Sequence, residues 1–229
     1  MPLSYAEMER HLMDELRLYH HPIAVTFLAT DAEVAEFKRT TPHVVPVKSL
    51  TFCQWEIAAR MQGKTVLGTK DKLFCTNAQC SFGWHEIDEG EIKSQLKYCV
   101  DAAQAERFLR SKPHLPKDSI RALAVGPLGQ AVLPPSVVHF YCDSMQAYHL
   151  AVDYMAATDT HPIRPLLMMS SSACGSSAYS FLEQAFNFCP PCSGSYNAGK
   201  TERGEVNVTI PGTQISGSDV EKIHAVHPC

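Results

Sequence analysis

Apolar residues follow two rhythms along this chain, short β-branched runs and positions one helical turn apart, and the two alternate from end to end. Ser4 and Glu7 form a capping-box pair ahead of Met8, Leu12, Leu16 and Tyr19, whose spacing predicts a first helix. The run 22–28 is short and rich in β-branched residues and reads as a buried strand. Thr30 and Glu33 open a second helix, and 44–47 reads as extended chain that Pro42 and Pro46 place at a sheet edge. Ser49 or Thr51 then caps a helix that carries Cys53 and Arg60 and stops at Gly63.

Farther along, 88–111 reads as helical and is closed by Pro113 and Pro116, and 120–125 and 137–141 read as strands. Asp143 or Ser144 caps a helix over 145–157. An apolar run at 165–170 leads into a Ser- and Gly-rich corner at Cys174 and a helix near 179–186. The last strand is 206–210, and Ser218 with Glu221 opens a C-terminal helix over 216–227. Such alternation predicts an α/β fold, one domain over 1–229, with a mixed or mostly parallel sheet flanked by helices. A weak internal echo divides it into two pseudo-symmetric βα halves, 20–112 and 118–212. In each half a Pro-led strand and a helix precede a cysteine at a helix start, Cys53 or Cys174, and a second cysteine follows, Cys75 or Cys192.

Composition narrows the function classes. With 229 residues and 45% apolar content the chain can bury a full core, so it needs no metal merely to fold. A net charge of −4 removes the counterion-release drive toward nucleic acid and the attraction to anionic membranes. The N-terminal residues show no basic stretch followed by an apolar run, and no apolar segment approaches the ~20 residues that span a bilayer. The expected compartment is the cytoplasm, where disulfides stay reduced and clustered cysteines point to metal binding or redox chemistry.

Seven of the nine cysteines fall in two neighbourhoods: Cys53, Cys75 and Cys80, with Cys99 nearby, then Cys174, Cys189 and Cys192. The eleven histidines are scattered, without the H-x-x-x-H or H-x-H spacing that would bring two onto one metal. Cys53 and Cys174 fall at helix starts, where unpaired N–H groups favour a thiolate, and Cys75 and Cys192 fall in turn-rich segments. These four are the expected ligands of an iron–sulfur cluster, with 4Fe–4S favoured, drawing one thiolate from each of four separated loops. Cys80 and Cys189 come next and leave room for a larger or second cluster. Zinc is the alternative metal, because Cys75 and Cys80 with Cys189 and Cys192 give two close pairs.

A cluster implies electron transfer or reduction of a small molecule, with a redox partner protein or a small-molecule substrate, and the sequence leaves room for a homo-oligomer. Two other readings stay open: a zinc-stabilised binding module, and a metal-free thiol enzyme using Cys53 or Cys174. Cys142 and Cys229 read as space-filling residues, as does Cys99 in a helical run. Arg60, Lys70, Lys72, Lys200 and Arg203 lie near the cysteine segments, where cations balance a negative centre or sit as solvated surface. Trp84 and His85 are candidates to line a pocket, and Ser170–Ser172 and Ser176–Ser177 are candidate donors to sulfur.

The stretches HPIAVTFL, FCQWEIAAR-x-x-G, C-x7-G at Cys75 to Gly83, PPSVVHFYCDSMQAYHL and PCSGS…GEVNVTIPG resemble the uncharacterised family called domain of unknown function 169, in order over residues 20–212. That resemblance implies recurrent cysteines at Cys53, Cys75, Cys174 and Cys192, the same four reached from helix and turn positions. The chain departs from the family pattern in carrying Ser195-Tyr196 where many relatives have an arginine, and in its additional Cys80, Cys99 and Cys189. The family carries no settled activity, so the resemblance implies a site and no reaction.

Overall fold

The computed structural model of the chain describes residues 3–41, 44–45 and 48–215. Pro42, Pro46 and Val47, the expected C-terminal helix 216–227 and Cys229 lie outside the described residues. In chain order the elements are α1 (Tyr5–Leu16), β1 (Ile23–Leu28), α2 (Asp31–Thr40), α3 (Phe52–Arg60), β2 (Val66–Thr69), α4 (Thr76–Ser81), α5 (Glu89–Gln95) and α6 (Ala102–Ser111). They continue with β3 (Ala122–Pro127), β4 (Val137–Cys142), α7 (Ser144–Thr158), α8 (Ser172–Glu183), β5 (Asn187–Cys189), α9 (Ser193–Asn197) and β6 (Val206–Pro211).

Local signals survive where the chain closes its own hydrogen bonds. Ser4 with Glu7, Thr30 with Glu33, Thr51 with Gln54 and Asp143 with Gln146 form complete capping boxes at α1, α2, α3 and α7. The stretch 88–111 splits into α5 and α6, and the second of these is capped by Asp101. The run 165–170 forms no strand; the strand on that side is β5, whose Asn187 side chain bonds the Leu166 backbone in both directions. Val45 makes only an isolated bridge to Val66.

The sheet corrects the expected architecture. Its six strands run in the order β2-β3-β1-β4-β6-β5, and every pairing between them is antiparallel, so it is neither mixed nor parallel. The parallel expectation came from fully apolar runs, and β1, β3 and β4 are indeed buried at every residue. That burial comes from helices on both faces, which hide a strand whichever way it runs. Ile23, Val25, Leu123, Val125, Val137 and Tyr141 pack in the core shared with Phe52, Trp55 and Ala178, on the face of α3 and α8. Ala24, Val138, Phe140, Val208 and Ile210 pack on the opposite face with Leu12 of α1 and Leu150 of α7.

The strand order is unchanged when β1 is exchanged with β4, β2 with β5 and β3 with β6. The exchange also matches α3 to α8 and α4 to α9, which pairs Cys53 with Cys174 and Cys75 with Cys192. The topological repeat divides after β3, not at residue 112, and the two sets of strands join at the antiparallel β1–β4 seam. Among the described residues no helix is long and apolar enough to cross a membrane.

Candidate functional site: a thiol cavity at four helix starts

Cys53 lies in the first turn of α3 and Cys174 in the first turn of α8, while Cys75 and Cys192 are the N-caps of α4 and α9. All four line one cavity of about 210 Å³, together with Ser170, Ser171 and Ser172. Thr51 fixes the start of α3, accepting from the Gln54 N–H at 3.2 Å while its own N–H donates to Gln54 Oε1 at 3.0 Å. Ser171, the N-cap of α8, holds a left-handed backbone at φ 67° although it is not glycine, a conformation that costs roughly 1–2 kcal/mol. Its side chain is fixed from outside, since Lys112 Nζ donates to Ser171 Oγ at 2.9 Å.

The segment after α9 closes against α3. Buried Arg60 donates through Nη2 to the carbonyls of Gly199 and Lys200, each at 2.8 Å, and its guanidinium stacks 4.3 Å from the Tyr141 ring centroid. A Cβ on Gly199 would sit 2.8 Å from Cys53 Cβ and 2.5 Å from the Ser195 carbonyl, so only glycine lets this backbone lie there. Arg60 therefore clamps the Cys192 side of the site onto the Cys53 side.

Burial overturns the expected depression of the Cys53 and Cys174 pKa values. Desolvation pushes Cys53 well above the usual thiol range, and Glu56 and the three other cavity thiols push it further. Cys174 is raised to about 12 by burial, then by Cys75 and Cys192, against a smaller opposing pull from Lys112. Cys75 is also raised, chiefly by burial. Burial raises Cys192 too, but the Ser172 hydroxyl and the N–H groups of Ser195, Ser172 and Gly194 outweigh it and hold this thiol below the usual range. Four such groups ionise together only when something positive joins them, which is what a coordinating metal does.

A second layer lies one helical turn behind the thiols. Glu56, three residues after Cys53, receives the Tyr141 hydroxyl at 2.7 Å on one oxygen and faces His139 Nδ1 at 2.7 Å on the other. Ser177, three residues after Cys174, meets the other ring nitrogen of His139 at 2.9 Å. Glu56, His139 and Ser177 are fully buried. This network ties the two equivalent cysteine helices to β4.

The remaining candidates separate from the four. Cys80, on the same short helix as Cys75, lines a different cavity of about 710 Å³ with Trp84, His85 and Lys70. Cys189 is fully buried in β5 and does not line the thiol cavity, and Cys142 is buried in the core. Cys99 lies between α5 and α6, partly buried. Ser176 and Ser177 are spent on Asn187 and on His139 with the Ala173 carbonyl, so only the 170–172 run reaches the cavity. Lys70, Lys72, Lys200 and Arg203 are exposed. Three buried polar residues bonded around the site carry no expectation from the sequence: Glu56, His139 and Lys112. The signal for His139 was present, a polar residue inside the apolar run 137–142, and Glu56 repeats the three-residue offset from a cysteine. Lys112 carried no such mark.

Among the described residues no group of three or more His, Cys, Asp or Glu converges closely enough to hold a single metal ion; the thiols instead ring a cavity. No curated protein and no solved structure matches the chain. The profile of domain of unknown function 169 (DUF169), described as an uncharacterised ArCR family, matches residues 11–217. The chain, with its four cysteines at four helix starts, belongs to that family.

Proposed function

We propose that this chain is a cysteine-ligated iron–sulfur protein, with a 4Fe–4S cluster held by Cys53, Cys75, Cys174 and Cys192, acting in electron transfer or the reduction of a small molecule. The observation that carries the reading is the convergence of four thiols from four separate helix starts on one cavity of about 210 Å³. At Cys192 the Ser172 hydroxyl and nearby N–H groups favour the thiolate, and Ser170–Ser172 offer hydroxyl donors toward sulfur. When bound, such a cluster would accept and release single electrons, and the protein's part is to set its potential through burial, charge and hydrogen bonds. Cys80 and Cys189 stand outside the cavity and are not needed as ligands.

Zinc is the less favoured metal. One zinc ion requires four sulfurs at about 2.3 Å from a common centre, a convergence the four thiols do not make. A cluster attaches its thiolates to different metal atoms and suits a wider ring. The same reading places the chain in a reducing cytoplasm, which fits its eight described cysteines being unpaired, with a redox partner protein as electron donor or acceptor.

The test is iron, sulfide and zinc content with a visible spectrum, on protein purified without oxygen. About four irons and four sulfides per chain, with broad absorbance that bleaches on reduction, are expected. Both should be lost in Cys53→Ala and Cys174→Ala and kept in Cys80→Ala and Cys189→Ala. Zinc without iron or colour, or unchanged iron in Cys53→Ala and Cys174→Ala, overturns the proposal.

A further inference from the structure

Lys112 is 4% exposed at the C-terminal end of α6, and among the described residues no carboxylate lies at ion-pair distance from it. Its ammonium donates to Ser171 Oγ at 2.9 Å and Asn77 Oδ1 at 3.0 Å, and lies 3.5 Å from Ser170 Oγ; all three acceptors are neutral. Those three residues line the thiol cavity, and two of them belong to ligand-bearing helix starts: Ser171 caps α8 ahead of Cys174, and Asn77 follows Cys75 in α4. An ammonium taken out of water costs several kcal/mol unless negative charge answers it. The groups whose ionised forms most favour its charge are, in order, Cys174, Cys80, Glu91 and Cys75, and the Glu91 Oε2 is itself buried without a hydrogen-bond partner among the described residues. Burial is the larger effect and holds the Lys112 pKa below the usual lysine range, while these groups pull it part of the way back.

We propose that Lys112 is the buried counter-charge of the thiolate centre, a fixed cation behind the cavity wall that raises the reduction potential of the cluster seated there. The inference rests on the iron–sulfur reading and extends it to the residue that tunes the site. An extra electron adds negative charge in a desolvated place, and a cation held by Ser171 and Asn77 stabilises the reduced form more than the oxidised one. The same hydrogen bonds fix the strained Ser171 corner, so one side chain orients the start of α8 and sets the field at its cysteine. Lys97 lines the cavity as well but is exposed, so water screens its charge.

The experiment is an anaerobic redox titration of the visible absorbance in the wild type, Lys112→Met, Lys112→Gln, Lys112→Arg, Glu91→Gln and Lys97→Met, with iron and sulfide measured in each. Lys112→Met and Lys112→Gln should keep iron and sulfide and titrate at clearly more negative potential, Lys112→Arg should return toward the wild type, and Glu91→Gln should move the opposite way. Lys97→Met should shift several-fold less than Lys112→Met. If Lys112→Met fails to fold, Lys112→Gln carries the same test, because its amide can still donate to Ser171. If both fail to fold, Glu91→Gln reads the same electrostatic balance, and an unmoved potential there counts against the proposal. A full cluster with unchanged potential in either neutral Lys112 variant overturns it. No iron in the wild type overturns the iron–sulfur reading instead, and the metal analysis separates the two failures.

Discussion

Glu56 Oε1 and His139 Nδ1 lie 2.7 Å apart with neither side chain reaching solvent, so a proton lies between them, since two bare acceptors would repel at that separation. The pair joins α3 to α8, one turn beyond their cysteines, through one imidazole, because Ser177 meets the other ring nitrogen. The topological symmetry that matches Cys53 to Cys174 also matches Glu56 to Ser177, and both converge on His139. The two cysteine helices are thus tied together behind the cavity by equivalent positions.

Breaking that network should be costly. Glu56→Ala removes the partner of both His139 and the Tyr141 hydroxyl in a dry interior, and a loss of about 3–5 kcal/mol is expected. Glu56→Gln keeps the shape and one hydrogen bond and should lose less. Urea unfolding at constant m-value measures both; a Glu56→Ala midpoint equal to the wild type would refute this role for the network.

Metal-free protein should show one thiol that alkylates early. Cys192 is held below the usual thiol range by hydrogen bonds, whereas Cys53 and Cys174 are raised. Iodoacetamide at neutral pH, followed by peptide mapping, should label Cys192 before either of them. Labelling of Cys53 first would show that burial does not govern these thiols.

Alkali should destabilise the metal-free form. A thiol whose folded pKa is raised contributes stability that is fully present below its unfolded pKa. That contribution is lost as pH climbs through the thiol range toward the folded value, about 12 at Cys174. Thermal unfolding across that window should show a falling midpoint, and a smaller fall in Cys174→Ser.

Acid acts elsewhere, at Glu205. Burial raises this carboxylate, but His20, the Glu202 backbone and Arg60 outweigh it and hold it below the usual range. Its stabilisation is therefore present above the unfolded carboxylate pKa and lost as pH falls through the lower folded value. Glu205→Gln should flatten the acid limb of the stability profile, and an unchanged limb would assign the acid sensitivity to other carboxylates.

Gly68 on β2 faces the Trp55 ring, where an added Cβ would sit 2.2 Å from the nearest ring carbon. Gly68→Ala should cost about 1–3 kcal/mol through overpacking, measured as a lowered melting temperature. A neutral result would mean that α3 shifts freely on the sheet, in which case Cys53 is not rigidly placed.

Features that close within a few residues can be read directly from the chain. The capping boxes of α1, α2, α3 and α7, the apolar runs of β1, β4 and β6, and the placing of Cys53 and Cys174 at helix starts follow from spacing and local hydrogen bonds. The order of Cys53 and Cys75 against Cys174 and Cys192 is visible in the sequence as well, but the strand order does not divide at residue 112. Strand direction was not legible: a run buried on both faces has the same composition parallel or antiparallel, and the partner strand decides. β2, β5, α4 and α9 were not legible either, being too short to show a period. Long-range packing brings four separated thiols to one cavity while Cys80 lines another, and it joins Glu56, His139 and Ser177 into one buried network. The same packing buries Lys112, and desolvation, a property of the packed interior and not of any local stretch of chain, raises the Cys53 and Cys174 pKa values against the trend that helix position implies.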